Sequence, residues 1–174
     1  LSITASEGVT TGALNASGAL GMDGGDVSID GGTGSVVVAS ITTRGASGPV
    51  STTAPTDGHD GGNVAVSGAT IAIGSVDSRG GDASAIATGT TEITREGGDA
   101  GAITLAAGQV TLTSGLDASG GAGAANAPSL VSGLAGDSAD VLVDGALLLA
   151  ARRVRLPETQ QPDPVFGRWR LGAG

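Results

Sequence analysis

The stretch Gly62–Gly81 reads GNVAVSGATIAIGSVDSRGG and decides how the rest of the chain is interpreted. A Val-x-Val run comes first, an Ile-x-Ile run follows the break at Gly68, and the letters VDSRGG close the unit. Alternation of β-branched with small or polar residues is typical of half-buried strands, and glycines mark the bends between them. The stretch therefore predicts two short strands joined by a bend and followed by a tight corner.

The same unit returns along the chain at a nearly fixed period. Its first strand begins at Val27, Val64, Ile103 and Val141, which gives spacings of 37, 39 and 38 residues. Repeats of 20 to 50 residues are the sequence signature of solenoids. The predicted rungs start near residues 1, 26, 63, 102 and 140.

A single unit cannot bury its apolar face or pair its strand edges, so the repeats must stack. Stacking would pair each strand in parallel and in register with its equivalent one repeat on, and the inward Val, Ile and Leu would form a column. The sequence thus predicts an all-β parallel β-helix solenoid over residues 1–150, with about five rungs and long loops from one corner. Those loops are Ala46–Gly62, Gly81–Gly101 and Gly121–Ala139. Alternatively, each period of about 38 residues forms two shorter coils instead of one coil with a long loop. The extra strands would then be Ala85–Ala87, Glu92–Thr94 and Leu130-Val131.

The composition of the chain excludes several classes of partner and site. The chain has 174 residues, 33 glycines, no cysteine and a net charge of −9. The negative charge argues against nucleic acid or an anionic membrane as a partner, and the missing cysteines exclude disulfides and Cys-based metal sites. No apolar run approaches the roughly 18 residues that span a bilayer, so membrane insertion is not expected.

The last part of the chain, residues 151–174, differs from the repeats. It holds five of the eight arginines, three prolines that oppose a continuing strand ladder, and both aromatic residues, Phe166 and Trp169. Because the end of a solenoid needs covering, this segment is predicted to be a cap or an exit segment. The chain as a whole is expected to be a piece of a longer polypeptide.

The repeated elements NVAV…VDSRGG, AITL…LDASGG and DVSI…ITTRG resemble the haemagglutinin-type β-helix of large bacterial exoproteins. That family comprises filamentous-haemagglutinin-like adhesins of two-partner secretion and related autotransporter passengers, and the resemblance covers roughly residues 1–150. It implies a right-handed shaft on a secreted or cell-surface bacterial protein, used in adhesion or biofilm formation. Its implied partner is a glycan or protein on a host or neighbouring cell, and it implies no catalysis.

The repeated corner raises the alternative of a carbohydrate-active β-helix enzyme. Asn15, Thr42, Asp77 and Asp117 are predicted to share this corner, with arginines close by in two repeats. Such an enzyme needs carboxylates and a basic residue that converge on a groove. Turn-forming chemistry explains the same residues and is preferred, so no catalytic or cofactor-binding residue is assigned.

Acidic residues before the strands raise a second alternative, a calcium-stabilised β-roll. Carboxylates stacked on one edge can coordinate calcium, although Asp and Gly are also favoured in turns. The metal candidates are Asp23, Asp26, Asp57, Asp60, Asp99, Asp137 and Asp140. The sole histidine, His59, stands between two of them and is expected to be solvated in a polar loop.

Overall fold

The computed structural model describes residues 1–49, 56–84, 94–125 and 133–149, and the fold in these residues is all-β. The strands are β1 (Ser2–Thr4), β2 (Gly8–Asn15), β3 (Val27–Asp30), β4 (Ser35–Thr42), β5 (Val64–Ser67), β6 (Thr70–Asp77), β7 (Thr94–Arg95), β8 (Ile103–Leu112), β9 (Leu116–Asp117), β10 (Ala124–Ala125) and β11 (Val141–Leu149). The predicted extra strands at Ala85–Ala87 and Leu130-Val131, and the segment 151–174, lie outside the described residues, as does most of Glu92–Thr94.

Nine strands form one sheet that wraps nearly into a barrel, as expected for a β-helix-like solenoid. One series runs β1, β3, β5, β8 and the other runs β2, β4, β6, β8. Both series meet at β8 because this strand passes without a break through the region where earlier repeats bend. All pairings within this sheet are parallel, and β11 covers the whole length of β8.

The register confirms the alignment of repeats that the sequence predicts. Val27 pairs with Val64, Val64 with Ile103, and Ile103 with Val141. A one-residue slip in any of these pairings would send the apolar set to the solvent face. The hydrophobic pattern therefore fixes the register of the whole stack.

The core is a narrow column of aliphatic side chains. In β4, Val36 and Val38 are buried, whereas Val37 between them is 42% exposed on the outer face. The buried members of the column are Val9, Val27, Ile29, Val36, Val38, Ile41, Val64, Val66, Ile71, Ile73, Val76, Ile103, Leu105, Val110, Leu112, Leu116 and Ala118. Small β-branched residues suit this narrow interior, which explains how the chain folds with so few aromatics.

The ends of the long polar segments are hydrogen-bonded to one another in successive repeats, which the sequence pattern does not predict. Backbone amides of Gly81, Gly98, Gly121 and Gly136 donate in turn to the carbonyls of His59, Gly81, Gly98 and Gly121, at 2.8–2.9 Å. We call Gly81, Gly98, Gly121 and Gly136 the glycine layer. A Cβ at any of these four positions would collide with a backbone carbonyl of a neighbouring segment. Glycine is required here for close backbone approach.

Two buried hydroxyls join the corner of the solenoid to the returning glycine-rich segments. Thr43 Oγ1 donates to the Gly62 carbonyl at 2.7 Å, and Ser78 Oγ donates to the Gly101 carbonyl at 2.7 Å. Both side chains are fully buried. These hydrogen bonds satisfy polar groups that would be costly to bury alone and fix where the next repeat begins.

Candidate functional site

The predicted corner is formed as the sequence indicated. Asn15 pairs with Thr42, Thr42 with Asp77, and Asp77 with Asp117 in successive parallel strands. Neighbouring parallel strands lie about 4.8 Å apart. The four side chains therefore follow one another along the solenoid axis.

Turn chemistry shapes this corner, in agreement with the preferred interpretation. The side-chain oxygens of Asn15 and Asp117 accept from the backbone amides two residues on, at 2.9 and 3.2 Å. Asp77 accepts from the Arg79 amide at 3.4 Å. These local hydrogen bonds are the ones that make Asn and Asp favoured in turns.

A ladder of alternating charges runs along the same corner. Arg79 donates through Nε and Nη2 to both carboxylate oxygens of Asp77 at 3.0 Å, and its Nε lies 3.5 Å from Asp117. Arg44 reaches Asp77 from the preceding repeat, with Nε 3.5 Å from Oδ2. The hydrogen bonds that Arg79 donates to Asp77 raise the pKa of Arg79. The charges of Asp77 and Asp117 add to this rise, and partial burial opposes it. Arg79 therefore stays charged throughout the neutral range.

The ion pair between Asp77 and Arg79 should be measurable although both side chains are partly exposed. A cycle of Asp77→Asn, Arg79→Gln and the double variant should give a coupling free energy of about 0.5–1 kcal/mol in thermal or urea unfolding. Screening should reduce this coupling in 1 M NaCl. A coupling that is zero at low salt would contradict the bidentate contact.

A cleft of about 400 Å³ lies beside this corner. Every lining residue in the described part of the chain is polar, charged or a glycine. The lining side chains are Ser17, Arg44, Ser47, Arg79, Asp82 and Ser119. They come from four successive repeats, so the stacking itself assembles the cleft.

Asp82 and Ser47 line the cleft and belong to the long polar segments. The Asp82 amide donates to Ser47 Oγ at 3.3 Å, and Asp82 Oδ1 accepts from the Ala122 amide at 2.8 Å. Both residues fall in segments that the sequence predicts to be loops, so their place in the cleft was not predicted. The sequence contains one indication that these residues stack: Ser47, Asp82 and Ala122 are separated by nearly the repeat period.

Comparisons of the chain with family models, curated proteins and solved structures find no match. The haemagglutinin-type resemblance therefore remains a prediction from repeat style. In the described part of the chain, no helix has the length and apolar character needed to cross a bilayer.

Four of the metal candidates form one acidic column. The backbone amides of Asp60, Asp99 and Asp137 donate to the Oδ1 atoms of Asp23, Asp60 and Asp99, at 3.1, 2.8 and 2.7 Å. Each of these carboxylates thus accepts from the backbone one repeat further along the chain. Backbone hydrogen bonding is therefore a structural role of Asp23, Asp60 and Asp99.

The other candidates occupy different positions. Asp26 accepts from the Asn63 amide at 2.7 Å, and Asp57 accepts from the Glu96 amide at 3.1 Å. Asp140 lies before β11, and its carbonyl accepts from the Ile103 amide. Among the described residues no group of three or more acidic or histidine side chains is arranged to hold a metal ion. Calcium binding stays the alternative to turn chemistry for these acidic residues.

Replacing Asp60 separates hydrogen bonding from charge. Asp60→Asn keeps an acceptor for the Asp99 amide and removes one negative charge from the column, so the melting temperature should rise slightly at low salt. Asp60→Ala leaves that amide without its acceptor and should cost about 1 kcal/mol. Thermal melts with added calcium or chelator check the alternative. A calcium-dependent rise in melting temperature that Asp60→Asn abolishes would mean that the column is a metal site.

His59 is less exposed to solvent than predicted. Its Nδ1 lies 3.3 Å from Asp23 Oδ1, and its side chain is 29% exposed. Its backbone amide donates to the Ala46 carbonyl and its carbonyl accepts from Gly81. His59 therefore connects the acidic column to the glycine layer.

Proposed function

We propose that residues 1–150 form a right-handed parallel β-helix of about five rungs that serves as a non-catalytic shaft in a secreted, cell-surface bacterial protein. The observation that carries this proposal is the parallel pairing from β1 to β11, in which each repeat contacts its neighbours through equivalent residues and the register shifts by one residue between Asp144 and Ala146. Such a stack gains length by adding repeats and presents the same faces again in each one. These are the properties of a shaft that holds other surfaces away from the cell.

The adhesive part of the proposal comes from the resemblance to haemagglutinin-type exoproteins. The partner is then a glycan or protein on a host or neighbouring cell, reached by a longer polypeptide of which this chain is a part.

Segment 151–174 acts as the cap or exit segment. The last strand supports this, because the outward Leu142 and the inward Leu147 of β11 are 57% and 40% exposed. The segment carries five arginines and two acidic residues, whereas residues 1–150 carry three arginines and fifteen acidic residues. The two parts therefore have opposite net charges and attract each other.

A carbohydrate-active enzyme is the second candidate, and the cleft favours it by bringing Arg44, Arg79 and Asp82 together. Glycoside hydrolysis ordinarily needs two carboxylates placed on either side of the scissile bond. Asp82 is the carboxylate in the lining, whereas Asp77 is held by the Arg79 guanidinium. The shaft function is therefore preferred.

Beads coated with the purified chain test the adhesive function. They should be retained under flow on a bacterial lawn or an epithelial layer several-fold more than beads coated with serum albumin, another acidic protein. Retention equal to the albumin control would overturn adhesion.

In parallel, the chain is incubated with a panel of polysaccharides. Release of reducing ends that Asp82→Asn abolishes would establish the enzyme instead.

A further inference from the structure

The cleft beside the charged corner spans several repeats. Its lining begins at Ser17 in the first repeat, passes Arg44 and Arg79, and ends at Ser119 in the fourth. Three steps between parallel neighbours at about 4.8 Å each give a length on the order of 14 Å. An extended polymer aligned with the solenoid axis fits such a surface better than a compact small molecule does.

The chemistry of the lining suits a ligand rich in hydroxyl groups. The serine hydroxyls both donate and accept, the guanidinium groups donate, and the Asp82 carboxylate accepts. Small-molecule sites are usually lined by apolar and aromatic side chains, and the described lining of this cleft contains none. Sugar hydroxyls offer the matching donors and acceptors.

One of the donors that a ligand would meet, the Arg79 guanidinium, is already held in place. Arg79 is fixed by its two hydrogen bonds to Asp77 and keeps further N–H groups beyond them. Arg44 has 47% of its side chain exposed, and its Nε lies near Asp77. Groups held by such contacts lose less conformational entropy when a ligand binds.

The charge of the site selects against polyanions. Arg44 and Arg79 face three carboxylates, those of Asp77, Asp117 and Asp82, so negative charge is in excess within the site. The whole chain carries a net charge of −9 and repels an acidic polymer at long range. We propose that this cleft binds a neutral oligosaccharide that runs along the solenoid axis. The inference rests on the adhesive function and names its ligand class.

Nuclear magnetic resonance titration tests the site directly. The probes are cellotetraose, maltotetraose and mannotetraose, with cellobiose and tetragalacturonate as comparisons. At least one neutral tetrasaccharide should shift the backbone amides of Ser47, Asp82 and Ser119, and should bind at least 10-fold more tightly than the disaccharide and the uronate. No shift at the cleft with any probe, or tighter binding of tetragalacturonate, would overturn the proposal.

Matched arginine variants test whether oligosaccharide binding takes place in the cleft. Arg44→Gln should weaken binding about 10-fold, whereas Arg95→Gln, which removes the same charge from β7 outside the lining, should not change it. Equal losses in the two variants would contradict the site. If coated beads still adhere while the cleft amides do not shift, the glycan site is wrong and the adhesive function stands. If neither is seen, both are wrong.

Discussion

Val36→Asp is expected to lower the melting temperature of the chain sharply. Val36 is fully buried in β4 between equivalent residues of the neighbouring repeats, Val9 and Ile71. A carboxylate placed in this column would have no partner, and we expect a loss of more than about 4 kcal/mol. Domains of this size are stabilised by only about 5–15 kcal/mol in total. Far-UV circular dichroism through a thermal melt measures the effect.

The adjacent position provides the control. Val37 has the same side chain but points to the outer face, where it is 42% exposed. The free energy of unfolding of Val37→Asp should therefore lie within about 0.5–1 kcal/mol of that of the parent chain. Similar losses for the two variants would show that the inward and outward faces of β4 have been assigned wrongly.

The second large effect is expected in the glycine layer. The Gly98 amide donates to Gly81 and its carbonyl accepts from Gly121, while a Cβ on Gly98 would collide with the backbone of His59. Because the obstacle is backbone, it cannot rotate aside. Gly98→Ala should cost about 3 kcal/mol in urea unfolding, at the upper end for an overpacked site.

Gly12→Ala is the matched control. Gly12 lies in β2, and a Cβ there has no heavy atom within 4 Å. Alanine loses less backbone entropy on folding than glycine, so this variant should be as stable as the parent chain or slightly more stable. If Gly98→Ala were equally harmless, the close packing of the glycine layer would be wrong.

The strand register could be predicted because it depends on a simple pattern. Alternating Val and Ile residues return every 37 to 39 positions, and Val27, Val64 and Ile103 can share one buried column only if they are direct neighbours. The corner followed from the same alignment. Asn and Asp chemistry is local, so the turn at Asp117 could be predicted from the residues around it.

The glycine layer could not be predicted in this way. Its residues carry no side-chain pattern, and a sequence such as Gly97-Gly98 reads equally well as a flexible loop. The close approach becomes evident only when the backbone of His59 is seen against Gly98. The cleft was missed for a related reason, since Ser47 and Asp82 stand outside the strands and gain their meaning from stacking.

The most direct test of the account is the register of neighbouring repeats. The chain contains no cysteine, so no native thiol competes with an engineered pair of cysteines when cross-linking is measured. Val37 and Ala72 are partners on the outer face, about 4.8 Å apart, within the Cα–Cα range of a disulfide. Val37 and Thr111 are two strands apart, beyond that range. Under mild oxidant the Val37→Cys/Ala72→Cys chain should cross-link and the Val37→Cys/Thr111→Cys chain should not. Cross-linking of the second pair in preference to the first would contradict the stacked parallel solenoid.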